Sequence, residues 1–217
     1  MSKFVVVDYG VGNVSSILKA LRKVTHEKVI LTKDPNELFD SAGVVLPGVG
    51  AFGYGMERIV NEGLDIVLRE YINNGGYLMG ICLGMQMLFE SSTEFGNHKG
   101  LGLIPGHVSS FKDLEVNFCR LPHVGWNTIS EPRDMRWDDT ILAETIPDQD
   151  VYFVHSYFAT PKLSEDVLSL SKYGDFLYCS SVQHNNIYGC QFHPEKSGPV
   201  GLNILKKFIK ICGENNE

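Results

Sequence analysis

The sequence predicts an α/β fold: an open, mostly parallel sheet flanked by helices, with added mixed or antiparallel strands in the second half. Short β-branched runs alternate with amphipathic stretches along the first half, which is the pattern of strand–helix–strand units. A length of 217 residues with 43% hydrophobic content supports one sizeable core. We therefore expect residues 1–217 to form a single domain.

The elements of the first half follow from local patterns. β-branched runs predict strands, and apolar residues spaced three or four apart predict helices. Asp34 followed by Pro35 is a typical helix start, because aspartate caps a helix and proline fits its first turn. In chain order, we predict a strand over 4–8, a helix around 17–24, a strand over 29–31, a helix from Asp34, a strand over 43–47, a helix over 56–71 and a strand that leads into Cys82.

The second half of the chain has a different sequence pattern. From about Gly100 to Asn186, short β-like runs, turns and aromatic residues predict mixed or antiparallel strands packed on the main sheet. The alternating run 187–192 predicts a further strand. A closing amphipathic helix is predicted over 199–212, with inward residues Leu202, Leu205, Phe208, Ile209 and Cys212.

Composition excludes several classes of protein. A net charge of −7 with no basic stretch argues against a nucleic-acid partner. The apolar runs are too short to cross a membrane, and the N-terminus leads directly into a strand without the arrangement of a signal peptide. The 5 cysteines lack Cys-x-x-Cys spacing, so we expect reduced thiols in a cytoplasmic protein, with no metal site and no cofactor.

Cys82 lies in the run Gly80-Ile-Cys-Leu-Gly84, between a predicted strand and an apolar helical stretch. This is the nucleophile-elbow pattern with cysteine in place of serine, in which the small neighbours let a strained turn close. A helix N-terminus that points at the sulfur favours the thiolate. A buried structural cysteine is the alternative, since free cysteines are usually buried.

His193 and Glu195 are the candidate catalytic partners of Cys82. They follow a predicted strand, and a histidine and a glutamate two positions apart can share one side of an extended segment. Together with Cys82 they have the logic of a catalytic triad, in which the imidazole takes the thiol proton and the carboxylate orients the imidazole. A lone histidine is more often structural, but the adjoining Pro-Glu, the preceding strand and the elbow argue against that interpretation here.

Pro47-Gly48-Val49-Gly50 directly follows another predicted strand, at the edge of the sheet where ligands bind in open α/β folds. Glycines there let backbone N–H groups approach an acyl oxygen, as an oxyanion hole requires. An ordinary turn is the alternative for this motif taken alone.

The motifs around Cys82 and His193 resemble those of the class I (triad) glutamine amidotransferases. Further segments resemble the glutaminase-subunit family of the imidazole glycerol phosphate synthases over nearly the whole chain, namely 8–13, 47–50, 121–127, 152–157 and 192–196. The resemblance implies that glutamine is hydrolysed to glutamate and ammonia, and that a (β/α)₈ barrel cyclase partner uses the ammonia in histidine biosynthesis.

The resemblance also implies roles for individual residues. Cys82 forms a thioester with the glutamine side chain, His193 is the general base and acid, and Glu195 orients His193. Oxyanion donors are the N–H of Leu83 and that of Val49 or Gly50. The extra valine relative to the Pro-Gly-Gly of other triad amidotransferases implies that this hole needs a backbone rearrangement, so we expect weak activity without the partner. Implied glutamine contacts are Gly48, Gln86, Glu94, His155, Ser156 and Tyr157, and implied partner contacts are Asn13, Trp126 and Lys196.

Each implied contact has an alternative from the residues themselves. Gln86 and Glu94 would otherwise be solvated, Ser156 and Tyr157 ordinary strand residues, Trp126 a core residue and Lys196 a surface lysine. At the level of function, three alternatives stay open: a paralogous ammonia donor for the amidation of bacterial surface sugars, a cysteine peptidase-like protein with a similar elbow, and a catalytically idle binding module that keeps the fold. The glutamine four residues after Cys82 and the His-Pro-Glu run argue against the peptidase.

Overall fold

The computed structural model describes residues 2–114, 120–132 and 137–214, and its strands form one eleven-stranded sheet and one two-stranded sheet within that part of the chain. The strands are β1 Lys3–Val7, β2 Lys28–Thr32, β3 Gly43–Leu46, β4 Leu78–Ile81, β5 Phe89–Ser92, β6 His98–Lys99, β7 Ile104–Ser110, β8 His123–Ile129, β9 Gln149–His155, β10 Tyr157–Pro161, β11 Val167–Tyr173, β12 Phe176–His184 and β13 Ile187–Cys190. The helices are α1 Val14–Val24, α2 Pro35–Phe39, α3 Phe52–Asn61, α4 Leu64–Asn73, α5 Leu83–Met87 and α6 Gly198–Glu214.

The large sheet has a parallel half and a largely antiparallel half. Its order is β2-β1-β3-β4-β13-β12-β10-β7-β5-β6, with β11 paired to β12. Successive strands from β2 to β13 in this order pair in parallel, while β13 pairs antiparallel with β12, β12 with β10, and β10 with β7. The predicted fold class, a mostly parallel sheet extended by antiparallel strands, is confirmed.

Helices cover both faces of the parallel half. Ile17 and Leu21 of α1 and Leu205 and Phe208 of α6 belong to one buried cluster. Helices α2, α3 and α4 contribute to a second cluster on the opposite face. Of the predicted inward residues of the last helix, Leu205, Phe208 and Cys212 are fully buried, and Leu202 and Ile209 pack against the cluster. Burial of each apolar stripe stabilises the layers.

Two element predictions need correction. The single helix predicted over 56–71 is two helices, because Gly63 has φ 68° in the left-handed region and separates α3 from α4. The strand predicted over 187–192 ends at Cys190. The helix start at Asp34 is confirmed, since its side chain accepts a hydrogen bond from the Asn36 N–H at 2.9 Å.

The cysteines in the described ranges are buried free thiols: Cys82, Cys179, Cys190 and Cys212. Cys119, which the sequence also predicts to be a reduced thiol, lies outside the described residues. No helix in the described ranges has the length and apolar character needed to cross a bilayer.

The strand order sets the position of the site. Strand β4 lies between β3 and β13 and is parallel to both. The carboxyl ends of these three strands therefore meet at one edge of the sheet. Cys82 follows β4, Pro47 follows β3, and His193 comes soon after β13.

Candidate active site

Cys82 lies on a strained turn between β4 and α5. Its backbone has φ 54° and ψ −111°, a region that residues with a side chain rarely adopt. Its N–H donates to the Cys190 carbonyl at 2.7 Å, which ties the turn to β13. The residue is buried, with 6% of its surface exposed. Such strain at a cysteine is typical of a nucleophile held out from a sheet.

The glycines on either side of Cys82 are required by close backbone packing. A Cβ atom on Gly84 would lie 1.9 Å from the Leu46 carbonyl oxygen, and one on Gly80 would lie 2.7 Å from the Gly84 carbonyl carbon. Any larger residue at either position would push α5 away from β3 and β4. The two glycines thus let the turn sit directly against the strand that leads to Pro47.

His193 and Glu195 form a buried pair. Nδ1 of His193 lies 2.8 Å from Oε1 of Glu195, and the side chains are 2% and 1% exposed. Burial disfavours the imidazolium, but interactions with Cys82 and Glu195 outweigh it and raise the pKa of His193 to about 9. Nδ1 pairs with Glu195, so the interaction with Cys82 falls on Nε2, which is buried and has no other hydrogen-bond partner among the described residues. That nitrogen is therefore available to exchange a proton.

The sequence led us to expect that His193 and Glu195 lie on one extended segment. That expectation is wrong. Pro194–Lys196 is a single 3₁₀ turn that begins at His193. The turn brings Glu195 back onto the imidazole. The His193 N–H donates to the Tyr152 carbonyl at 2.9 Å, and the Ser197 hydroxyl donates to the His193 carbonyl at 2.7 Å.

The Pro47–Gly50 run passes next to the start of α5. Gly48 is buried, and a Cβ atom there would lie 2.8 Å from the Gly84 N–H nitrogen. Val49 and Gly50 are exposed, and Gly50 has φ 103°. Leu83 is the first residue of α5, so its N–H is one of the free donors at a helix N-terminus.

A cavity of about 290 Å³ opens beside Cys82. Most of the residues that the sequence assigns to the oxyanion hole and to glutamine line it: Val49, Gly50, Leu83, Gln86, Glu94, His155, Ser156 and Tyr157. Gly48 packs beneath the cavity wall instead and does not line it. The volume suits a small molecule of the size of an amino acid.

Gln86 and Glu94 are held in defined positions. The Gln86 side-chain amide donates to the Tyr157 carbonyl at 3.1 Å and to the Gln191 side-chain oxygen at 3.0 Å. The Glu94 carboxylate accepts a hydrogen bond from the Phe52 N–H at 2.5 Å. Burial raises the pKa of Glu94, against the opposing effects of that hydrogen bond and of His98. Neither side chain is solvated, which was the alternative from sequence.

His155 belongs to a buried polar network behind the cavity. Its Nδ1 lies 2.8 Å from the Tyr157 carbonyl oxygen, and its Nε2 lies 3.3 Å from both His123 Nδ1 and the Tyr178 hydroxyl. Burial lowers the pKa of His155 to about 3 and that of His123 to about 4. A neutral His155 therefore donates from Nδ1 to the Tyr157 carbonyl and fixes the 155–157 segment.

The residues assigned to a partner lie at the surface. Trp126 is 56% exposed on β8 and makes an edge contact with Tyr152. The Lys196 ammonium lies 5.7 Å from the centre of the same Tyr152 ring. Asn13 is exposed and precedes α1. Trp126 is thus not a core residue, and it shares one aromatic ring with Lys196.

Several residues of the site escaped the sequence reasoning. Pro122 and Val154 line the cavity, and the Gln191 amide lies 3.9 Å from the Cys82 sulfur. Gln191 could have been found, because it lies two positions before His193. Tyr9 lies beneath the Pro47–Gly50 run and donates a hydrogen bond to the Pro47 carbonyl at 2.6 Å. No sequence pattern indicates where the hydroxyl of that tyrosine points.

Taken together, a strained cysteine, a buried imidazole whose Nε2 can exchange a proton and a carboxylate on its Nδ1 can perform acyl transfer through a thioester. The family model described as "Glutamine amidotransferase class-I" matches residues 5–212. The chain belongs to this family.

Relatives of known name extend the comparison. The chain is 41% identical over 216 residues to "Imidazole glycerol phosphate synthase subunit HisH 1" of Legionella pneumophila (strain Lens), an alignment that covers 97% of this chain and 100% of the relative. It is 42% identical over 211 residues to the HisH subunit of Desulfitobacterium hafniense (strain DSM 10664 / DCB-2), covering 97% of this chain and 95% of the relative.

Solved structures share the fold. PurLQS from Thermotoga maritima superposes with a TM-score of 0.70 at 18% identity, covering 100% of this chain and 99% of that chain. A glutamine amidotransferase from the same organism gives a TM-score of 0.61 at 15% identity, covering 99% and 85%. These similarities extend to the architecture of the whole described chain.

Proposed function

We propose that this protein is the glutaminase subunit of imidazole glycerol phosphate synthase. The relatives named HisH and the amidotransferase family support the assignment. The observation that carries the chemistry is the strained Cys82 beside the buried His193–Glu195 pair at the mouth of a cavity. The partner we propose is a (β/α)₈ barrel cyclase that takes up the ammonia. We further propose that residues 1–217 form one domain and that the protein is cytoplasmic, which its buried thiols support.

The proposed reaction begins when the Cys82 sulfur attacks the side-chain amide carbon of glutamine. The thiol proton moves to Nε2 of His193, and Glu195 stabilises the imidazolium from Nδ1. The oxyanion accepts hydrogen bonds from the Leu83 N–H and from the N–H of Val49 or Gly50. His193 returns its proton to the departing nitrogen, so ammonia leaves and a thioester remains.

Water completes the cycle. His193 removes a proton from a water molecule, which attacks the thioester carbon, and glutamate leaves as the thiol re-forms. We propose that Gln86 and Glu94 contact the bound glutamine through their side chains, and that Gly48 and the His155-Ser156-Tyr157 segment contact it through their backbones. The cavity that most of these residues line supports this assignment.

The ammonia must reach the partner before it is protonated by bulk water. We propose that the exposed surface around Asn13, Trp126 and Lys196 docks the cyclase. Trp126 suits an interface anchor, because aromatic residues are enriched among binding hot spots.

Reconstitution tests the proposal. Glutamine hydrolysis is measured with the chain alone, with the cyclase, and with the cyclase and its nucleotide substrate. We expect slow hydrolysis alone and strong stimulation in the full mixture, with formation of imidazole glycerol phosphate. Hydrolysis that the cyclase never stimulates, or stimulation only by a sugar-amidating enzyme, would contradict the assigned pathway.

A further inference from the structure

Residues 47–51 (the 47–51 segment) join β3 to α3, and Val49 and Gly50 in this segment line the cavity. It carries the N–H groups of Val49 and Gly50, the proposed oxyanion donors. Two side chains from outside the segment hold its two ends, and neither hydrogen bond involves a residue of the elbow (residues 80–84). How these ends are held determines which peptides can move.

Tyr9 holds the first end. Its hydroxyl donates to the Pro47 carbonyl at 2.6 Å, and the side chain is 1% exposed. Burial, with a smaller contribution from Cys82, raises the pKa of Tyr9 well above its usual value, so the hydroxyl stays a donor at neutral pH. Because a peptide unit is planar, fixing the Pro47 carbonyl also fixes the direction of the Gly48 N–H. The backbone of Tyr9 is itself bound to α3, where Arg58 Nε donates to its carbonyl at 3.2 Å.

Glu94 holds the second end. Helix α3 begins at Phe52, and its N-cap residue, Ala51, has no side-chain oxygen to cap it. The Glu94 carboxylate supplies the cap from a distant loop, since Oε2 accepts the Phe52 N–H at 2.5 Å. The side chain is 9% exposed and also lines the cavity. Its second oxygen is available to a bound molecule.

The middle of the segment is free of such bonds. No hydrogen bond to the backbone of Gly48, Val49 or Gly50 is found among the residues that the structure describes. A Cβ atom on Gly50 would meet nothing within 4 Å, and its φ of 103° is accessible chiefly to glycine. The peptides on either side of Val49 can therefore turn over in place.

We infer that Tyr9 and Glu94 are positioning residues that clamp the two ends of the 47–51 segment and confine its rearrangement to the peptides around Val49. This inference rests on the proposed glutaminase function. The clamp lets an N–H turn toward the oxyanion while β3 and α3 stay in place. Glu94 also connects the glutamine cavity to the start of α3, so substrate and segment share one carboxylate.

Tyr9→Phe is the primary test, in the complex of the chain with its cyclase. The variant keeps the ring and removes only the hydrogen bond to Pro47. Loss of one complete oxyanion donor costs about 100-fold or more in kcat, so we expect a smaller loss of about 10-fold from a displaced donor. KM for glutamine should stay within about twofold, because the oxyanion forms only in the transition state.

Iodoacetamide alkylation of Cys82 distinguishes the loss of the hydrogen bond from Tyr9 from a general disturbance of the active site. Alkylation needs the thiolate but builds no oxyanion, so its rate in Tyr9→Phe should match wild type. Tyr54→Phe is the matched control, since Tyr54 is exposed on α3 and the same oxygen is removed. The control should change neither kcat nor alkylation.

Glu94 provides a second pair of variants. Glutamine at position 94 can still accept the Phe52 N–H but has lost the charge, so Glu94→Gln should raise KM more than it lowers kcat. Glu94→Ala loses the cap as well, and its kcat should fall about 10-fold below that of Glu94→Gln.

The outcomes are distinct. The clamp is overturned if Tyr9→Phe keeps wild-type kcat, if its alkylation rate falls in parallel with kcat, or if Glu94→Gln and Glu94→Ala have equal kcat. A wild-type complex whose Cys82 is alkylated but which hydrolyses no glutamine would instead overturn the proposed function, and with it the reaction that the clamp serves.

Discussion

Nδ1 of His193 lies 2.8 Å from Oε1 of Glu195, and almost no part of either side chain reaches solvent. Bulk water therefore does not hydrate the Glu195 carboxylate, and among the described residues the carboxylate is paired with the His193 imidazole. The pairing fixes the role of each nitrogen of His193, because the proton held on Nδ1 leaves Nε2 as the nitrogen that gains and loses a proton.

Replacing Glu195 should uncouple this pair. Glu195→Gln removes the negative charge that supports the imidazolium, so the pKa of His193 should fall from about 9. We expect kcat for glutamine to fall about 100-fold or more, because His193 without its orienting carboxylate loses its contribution as the general base. The pH dependence of Cys82 alkylation and histidine NMR report the change in pKa. If the pH dependence of Cys82 alkylation is the same in Glu195→Gln and in the wild type, Glu195 does not set the pKa of His193.

Removing the thiol should separate the two nitrogen sources. In the complex, Cys82→Ala should abolish glutamine-dependent synthesis, because no thioester can form. Synthesis from added ammonium salts should persist at the wild-type rate, since the cyclase is untouched. Both rates are measured on one preparation. Full glutamine-dependent turnover by the variant would exclude Cys82 as the nucleophile.

The buried histidines should make the protein sensitive to mild acid. His123 and His155 have pKa values lowered to about 4 and about 3, so the folded state keeps them neutral between pH 6.5 and 5. The unfolded chain binds up to two more protons as pH falls below about 6.5, so the free energy of unfolding should fall by up to about 2.7 kcal/mol per pH unit. His123→Asn should halve this slope in urea titrations. A free energy of unfolding that does not change between pH 6.5 and 5 in the wild type would contradict the burial of His123 and His155 in their neutral form.

The elbow should tolerate no side chain at position 84. Gly84→Ala would place a Cβ atom 1.9 Å from the Leu46 carbonyl, and we expect a loss of about 3 kcal/mol in the free energy of unfolding. Gly213→Ala is the matched control in α6, where nothing lies within 4 Å, and it should be neutral or slightly stabilising. Urea unfolding measures both. Equal effects at the two sites would refute the packing argument.

The exposed tryptophan should anchor the cyclase. Trp126→Ala should weaken the complex by about 2 kcal/mol or more, as loss of a central aromatic residue does at a hot spot. Ile66→Ala on α4 is the control, because Ile66 is also exposed but lies on another element. Calorimetric titration with the cyclase compares the two. A larger effect from Ile66 would place the interface elsewhere.

The sequence predicted the parallel half of the sheet well, because buried strands and amphipathic helices leave strong local patterns. The helix over 56–71 was wrong for a local reason: one glycine in the left-handed region is enough to divide it. The short strands β5 and β6 are set by pairing with β7 and with each other, and so have no strong pattern of their own.

The residues of the site likewise divide into those that the sequence predicts and those that it does not. The elbow and the His193–Glu195 pair have short, fixed spacings and could be recognised. The cap of α3 by Glu94, the bond from Tyr9 to Pro47 and the contact of Gln86 with Gln191 join residues far apart in sequence. Only the folded sheet brings them together, so no local pattern could predict them.

Strand β13 lies between β4 and β12 in the sheet but follows β4 by more than 100 residues in the chain, so it is synthesised well after the elbow. A nascent chain has already made Cys82 and most of the cavity before β13 exists. The thiol stays without its imidazole, and its N–H without the Cys190 carbonyl, until β13 inserts beside β4. Reactivity at Cys82 thus depends on a segment made long after the elbow, and a chain that stops before His193 has no imidazole with which to release ammonia.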